Sequence, residues 1–226
     1  MPRLLGTALR WFLIPFLALL AWAMAGAFLD SARGALSAGS LLWCGSGFLF
    51  RAASHLLWRR LGRDDPFGFI DTLEHELTHA LMGYLTFCPP VSLSATLKSG
   101  GEVELKGTNP LAVLAPYFLP LWCLLAALLG LAVKSGLQGA WSHGLFFLLG
   151  WFAWRLCLEY RWRQTDLHAY GFIFSTFAVA ILLCLSLGLL LWMRGALGWA
   201  WLPAAGRRSW GELHALWTRI GRNGAP

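Results

Sequence analysis

Phe67-Gly-Phe-Ile-Asp-Thr-Leu-Glu-His-Glu-Leu-Thr-His-Ala-Leu-Met-Gly-Tyr-Leu-Thr-Phe-Cys88 is an apolar run with two histidines set into it. Its centre is His75-Glu76-Leu77-Thr78-His79, the pattern HExxH. On a helix, residues four apart share a face, so both imidazoles reach one metal ion. Glu76 then stands beside a metal-activated water and can take its proton. Six His and six Glu among 226 residues yield this pattern by chance with a probability on the order of 0.4%, so coincidence is a poor explanation. The bland alternative is a set of buried polar groups bonded to neighbouring helices.

Working outward, the composition is that of a membrane protein. Hydrophobic residues make up 58% and charged residues 13%, where soluble domains carry roughly a quarter charged. The net charge of +7 is spread as short groups at the ends of apolar runs (Arg3/Arg10, Arg59/Arg60/Arg63, Arg161/Arg163, Arg207/Arg208). That distribution suits loops at a bilayer and argues against nucleic acid as a partner. The five cysteines lie in or beside apolar runs without a CxxC pair, so they imply no disulfide framework.

Six candidate spans follow: Leu9–Leu29, Leu36–Trp58, Phe67–Cys88, Leu111–Val133, Leu145–Tyr160 and Tyr170–Met193. The expectation is an all-α membrane protein of about six transmembrane helices with one short membrane-associated β-hairpin. It divides as 1–66, a two-span unit; 67–193, the core; and 194–226, an amphipathic tail, within one structural domain. The first run is long for a signal peptide and reads as a retained span. Asp65 and Pro66 are placed to cap and start the third helix. Pro116 and Pro120 make the fourth run a candidate broken or re-entrant helix. Positive-inside counting puts the N-terminus and Arg59–Arg63 in the cytoplasm; six full crossings would leave Arg161 and Arg163 outside, so one run stops short or those arginines have another task.

Val91–Leu97 and Glu102–Lys106 alternate apolar and polar residues around Ser99-Gly100-Gly101, which predicts a hairpin. It is either a plain loop or an edge strand able to pair with an extended peptide. In the tail, Trp210, Leu213, Leu216/Trp217 and Ile220 recur at helical spacing, as in an interfacial helix.

If the third helix starts near Phe67, His75 lies ~12 Å and His79 ~18 Å along its axis, near the middle of a hydrocarbon core roughly 30 Å thick. Ionisable groups at that depth are functional by default. A catalytic zinc takes three protein ligands. Asp71 shares the histidine stripe but lies ~12 Å from His79, too far for the same tetrahedron, and is expected to orient His75 instead. The third ligand comes from another segment: Glu102 or Glu104, Asp166, or, less favoured, His55, His143 or His168. Glu74 and Arg51 are further intramembrane charges that would suit each other as a pair.

These residues resemble the site-2 protease family of intramembrane zinc metallopeptidases. The likeness covers roughly residues 67–193. It rests on HExxH in a span, on a following hairpin with Gly100-Gly101, and on a later aspartate, here Asp166. Position 167 is Leu where the family pattern has Gly. The resemblance implies Zn²⁺ held by His75, His79 and Asp166, with Glu76 catalytic and Gly100 and Gly101 on the substrate-binding hairpin. It further implies a membrane-protein or signal-peptide substrate, cleaved in a multi-pass protein of the bacterial cytoplasmic (inner) membrane. The rival function is a membrane protein that keeps the metal site but acts as a non-proteolytic binding or regulatory partner. A transporter is disfavoured, since inverted repeats are not apparent.

Overall fold

The computed structural model describes residues 2–96, 100–162, 164–195, 198 and 200–223. Ser99, Arg163 and the side chains of Arg3, Arg10, Leu216, Trp217 and Ile220, which figure above, lie outside the described residues. The chain is mostly helical with one two-stranded antiparallel sheet. In order come α1 (Pro2–Ala35), α2 (Ala38–Arg60), α3 (Pro66–Leu85), β1 (Pro90–Thr96), β2 (Gly100–Leu105), α4 (Pro110–Phe118) and α5 (Leu121–Gly130). A 3-10 turn (Ser135–Leu137) leads to α6 (Gln138–Glu159), α7 (Thr165–Ala169), α8 (Phe172–Met193) and α9 (Trp201–Asn223).

Two compact units result. One is Leu36–Ser175, which holds every candidate site residue; the other joins Met1–Ala35 to Thr176–Pro226. The helices α1 and α2, grouped together above as a two-span unit, therefore belong to different units.

Within the first unit, Asp65 caps α3 by accepting from the Phe67 amide, and Pro66 opens the helix. Asp65 also accepts from Arg51 Nη1 at 2.7 Å. Arg51 bonds Asp71 as well, with Nε to Oδ2 at 2.9 Å, so a single guanidinium ties α2 to the first turns of α3. The expected Arg51–Glu74 pair does not form. Glu74 faces Arg155 of α6 instead, Oε2 to Nε at 3.3 Å, and both side chains are almost completely buried. Glu74 also accepts from the Trp122 amide. That amide lies in the first turn of α5, whose N-cap Pro120 offers no side-chain acceptor, so a carboxylate from α3 satisfies it.

The helices α2 and α6 touch backbone to backbone. A Cβ on Gly47 would overlap the Phe147 carbonyl, and one on Gly150 would overlap that of Cys44. Small residues are what allow helices to approach so closely in an apolar bundle. Ring and cation contacts pair Trp43 with His143, Arg51 with Trp151 and His55 with Trp154. Positions advance together along the two helices, so α2 and α6 run parallel.

The fourth apolar run is two helices, α4 and α5, set at 72°. Leu119, ahead of Pro120, has φ −104° and ψ 98°, the extended geometry that the proline ring forces on its predecessor. Among the described residues, Trp11–Gly34 and Phe172–Met193 are long and apolar enough to cross a membrane, or three segments if the bent pair counts as one. That is fewer than the six expected. The shortfall lies in α2, α3 and α6, each of which sets charged and histidine side chains among its apolar ones.

The hairpin pairs Ser92 with Glu104, Ser94 with Glu102 and Thr96 with Gly100. In the second unit, Phe28 of α1 meets Trp201 of α9 edge-on at 5.6 Å, and Arg208 reaches Asp30 at 3.3 Å. The helix α9 starts at Trp201, nine residues before the first apolar position of the helical spacing noted in the tail, and it exposes Trp210 and Leu213.

Candidate metal centre

His75 and His79 lie one turn apart on α3, with Nε2 atoms 3.2 Å from each other. Asp166 Oδ2 is 3.6 Å from each of them. Among the described residues this is the one group of three donors able to hold a metal. A tetrahedral zinc with bonds near 2.0–2.1 Å needs donor atoms about 3.3–3.4 Å apart, so the three separations match to within a few tenths of an ångström.

The outer contacts settle which nitrogens are available. His79 Nδ1 is 2.8 Å from the Ala112 carbonyl, which can only accept, so Nδ1 carries the proton and donates it. His75 Nδ1 lies 3.1 Å from Glu159 Oε2. Glu159 is in turn bonded by Arg155 Nη1 at 3.0 Å, so His75 Nδ1 is the donor there. Both Nε2 atoms then present lone pairs towards each other and towards a carboxylate. Three converging acceptors repel unless a cation sits between them, and the donor set of two imidazoles and a carboxylate suits Zn²⁺.

Asp166 reaches this point from α7, a short helix pinned by the fully buried Leu167. Tyr117 of α4 donates its hydroxyl to the same Oδ2 at 3.2 Å. Burial alone would raise the Asp166 pKa, but with no metal bound, protons on His75 and His79 that face it outweigh burial and hold the carboxyl below the ordinary range; a metal cation would take the place of those protons. The group is an anion, as a ligand must be.

The helix α4 is set against α3 by Asn109. Its side chain caps α4 at the Ala112 amide and donates to Thr86 Oγ1 at 2.7 Å, at the end of α3. Pro110 follows at the first helical position. This clamp brings the Ala112 carbonyl onto His79. Arg155 completes the surround by donating Nη2 to the Pro116 carbonyl at 3.1 Å.

A cavity of about 360 Å³ opens onto the three donors and is lined also by Glu76 and by Gly101, Glu102 and Val103 of β2. The strand passes directly over the glutamate. A Cβ on Gly101 would lie 2.8 Å from Glu76 Oε1 and 2.7 Å from Thr72 Cγ2, so only glycine fits. Gly100 sits at the start of β2 with φ +79° and open space around it.

The other candidates lie elsewhere. Glu102 borders the cavity without joining the donors. Glu104, opposite Ser92 in the hairpin, lies outside both groups. His55 is 3.6 Å from Asp65, His143 stacks on Trp43, and His168 bonds the Trp162 carbonyl. Asp71 is not the partner of His75. It accepts from Arg51 and from Trp151 Nε1 at 2.6 Å, and Glu159 takes the expected place. The role of Glu159 had one sequence signal: Arg155 and Glu159 are charges four apart in an apolar run, and so share a face. Tyr117 had none. Comparison with family models, curated proteins and solved structures finds no match for this chain.

Proposed function

We propose that this chain is an intramembrane zinc metalloendopeptidase, cleaving membrane-embedded or membrane-tethered proteins, in the bacterial cytoplasmic membrane. The observation that carries the reading is the convergence of His75 Nε2, His79 Nε2 and Asp166 Oδ2 beside Glu76. Zinc held by these atoms would acidify a water and polarise a scissile carbonyl. Glu76, on the cavity wall, accepts the proton of the attacking water and returns it to the leaving amine. Glu159 and the Ala112 carbonyl keep the two imidazoles turned inward. A substrate helix hides its carbonyls in its own hydrogen bonds, so it must unwind locally. The edge of β2 beside the cavity offers an extended segment a strand to pair with.

The membrane reading is five crossings (α1, α2, α3, α6, α8) with α4–α5 re-entrant. If α3 and α4–α5 both crossed, α6 would run against α2; the two are parallel. One non-crossing run also brings Arg161 to the same side as Arg59–Arg63, in keeping with the positive-inside rule. The bent, proline-broken pair is the natural segment to turn back.

Metal analysis of the purified chain should find one zinc, and a phosphatase reporter fused after Arg161 should be inactive, as expected of a cytoplasmic position. A metal-free protein sinks the enzyme reading, and an active reporter sinks the topology. Gly101→Ala should lower peptide hydrolysis about tenfold with zinc content unchanged, because Glu76 and not the ligands must move; a small displacement near reacting atoms has effects of that size or larger. Unchanged hydrolysis in this variant would show that β2 does not set the position of Glu76.

A further inference from the structure

The carbonyl that His79 uses has no helical partner, and a proline is the reason. In α4, the Ala112 carbonyl would normally accept from the amide four residues on, at position 116. That residue is Pro116, which has no N–H. Further along, the Leu119 amide donates to the Ala115 carbonyl at 2.9 Å, and the Pro116 carbonyl, which faces Pro120 four residues on, is met by Arg155 instead. A proline ring also crowds the carbonyl four residues before it and tilts it off the helix axis. Ala112 is fully buried, so an unmet carbonyl there would be costly. It is met by His79 Nδ1 at 2.8 Å.

We propose that Pro116 is a positioning residue of the metal centre. By leaving the Ala112 carbonyl unbonded and off-axis, it fixes the tautomer and direction of His79, so that Nε2 faces His75 and Asp166. This inference rests on the zinc reading above. The energetic logic is reciprocal: the helix has a vacant acceptor, and the ligand has a proton that must be held away from the metal. An alanine at 116 would supply an amide that competes for the same oxygen. A ligand's outer partner is typically worth 10- to 100-fold in metal affinity.

The test is Co²⁺ and Zn²⁺ affinity of the full chain in detergent, read by chelator competition and by the visible spectrum of the Co²⁺ form. Pro116→Ala should weaken both metals about 10- to 100-fold and alter the Co²⁺ absorption. A second variant places lactic acid at position 116, giving a backbone ester that lacks the ring and also lacks the N–H. The substitution changes the carbonyl of Ala115, not that of Ala112. This ester form should bind within about threefold of wild type, since the missing amide is what matters. Wild-type affinity in Pro116→Ala overturns the proposal, and so does a weak ester form, which would place the effect in the ring or in the fold. If Pro116→Ala does not fold, the ester form alone decides. Failure of the wild-type chain to bind either metal would instead sink the zinc reading itself.

Discussion

Glu76→Gln is expected to lower peptide hydrolysis about 10²- to 10⁴-fold while the chain keeps its zinc. The range is what a positioned general base is typically worth. The substitution preserves shape, and shape matters here because Gly101 of β2 leaves the side chain no room to grow. It preserves the metal because Glu76 is not among the three converging donors. What it removes is a carboxylate able to accept a proton from water and give it up again. Hydrolysis rates on a membrane peptide, measured beside zinc content, check this. Undiminished cleavage would remove Glu76 from the reaction, and loss of zinc with activity would make it a ligand. The variant also separates an enzyme from a non-proteolytic partner: a binding protein that merely retains the site should work in the cell with Gln at position 76.

Arg155→Met is expected to destabilise the Leu36–Ser175 unit by about 3–5 kcal/mol, the usual cost of stranding a buried charge. Arg155 is 1% exposed and faces Glu74, also 1% exposed. Its Nη atoms serve Glu159 and the Pro116 carbonyl. Removing the guanidinium leaves Glu74 an unpaired anion in an apolar surround. Glu159 is better placed to survive, because it is partly exposed and keeps His75. The double variant Glu74→Gln/Arg155→Met should therefore recover most of the loss. Glutamine retains an oxygen for the Trp122 amide but carries no charge to strand. Unfolding measured in detergent decides: an Arg155→Met protein as stable as wild type would mean that Glu74 finds another partner or a proton. The same variant should also weaken metal binding, since Glu159 then holds His75 without support.

Several of these features are legible in the chain alone because they depend on residues close in sequence. The HExxH spacing places two imidazoles on one face whatever the helix packs against. Asp65 and Pro66 start α3 through contacts within two residues. Pro116 and Pro120 break the fourth run because the ring acts on its own turn and on its predecessor. The Gly100-Gly101 pair marks a hairpin, though not that Gly101 is needed for the passage of β2 over Glu76.

The pairing of charges is where local reading fails. Arg51 and Glu74 look suited to each other by sign and depth, yet Arg51 takes Asp65 and Asp71 while Glu74 takes Arg155. Sign and depth do not say which helices are neighbours; here Asp71 of α3 faces α2 and Glu74 of α3 faces α6. Asp71 fails as the partner of His75 for the same reason, since Trp151 and Arg51 reach it first.

By itself the sequence determined the motif, its helix, the break at the prolines and the apolar character of the whole, because each is a property of spacing and composition. Only the tertiary structure decided that Asp166 stands with His75 and His79, that Glu159 and the Ala112 carbonyl hold the rings, and that α2 runs parallel to α6. Those depend on segments distant in the chain, 84 residues apart in the case of His75 and Glu159. No periodicity specifies such a meeting; it is set by which buried faces and charges find complementary partners when the helices pack.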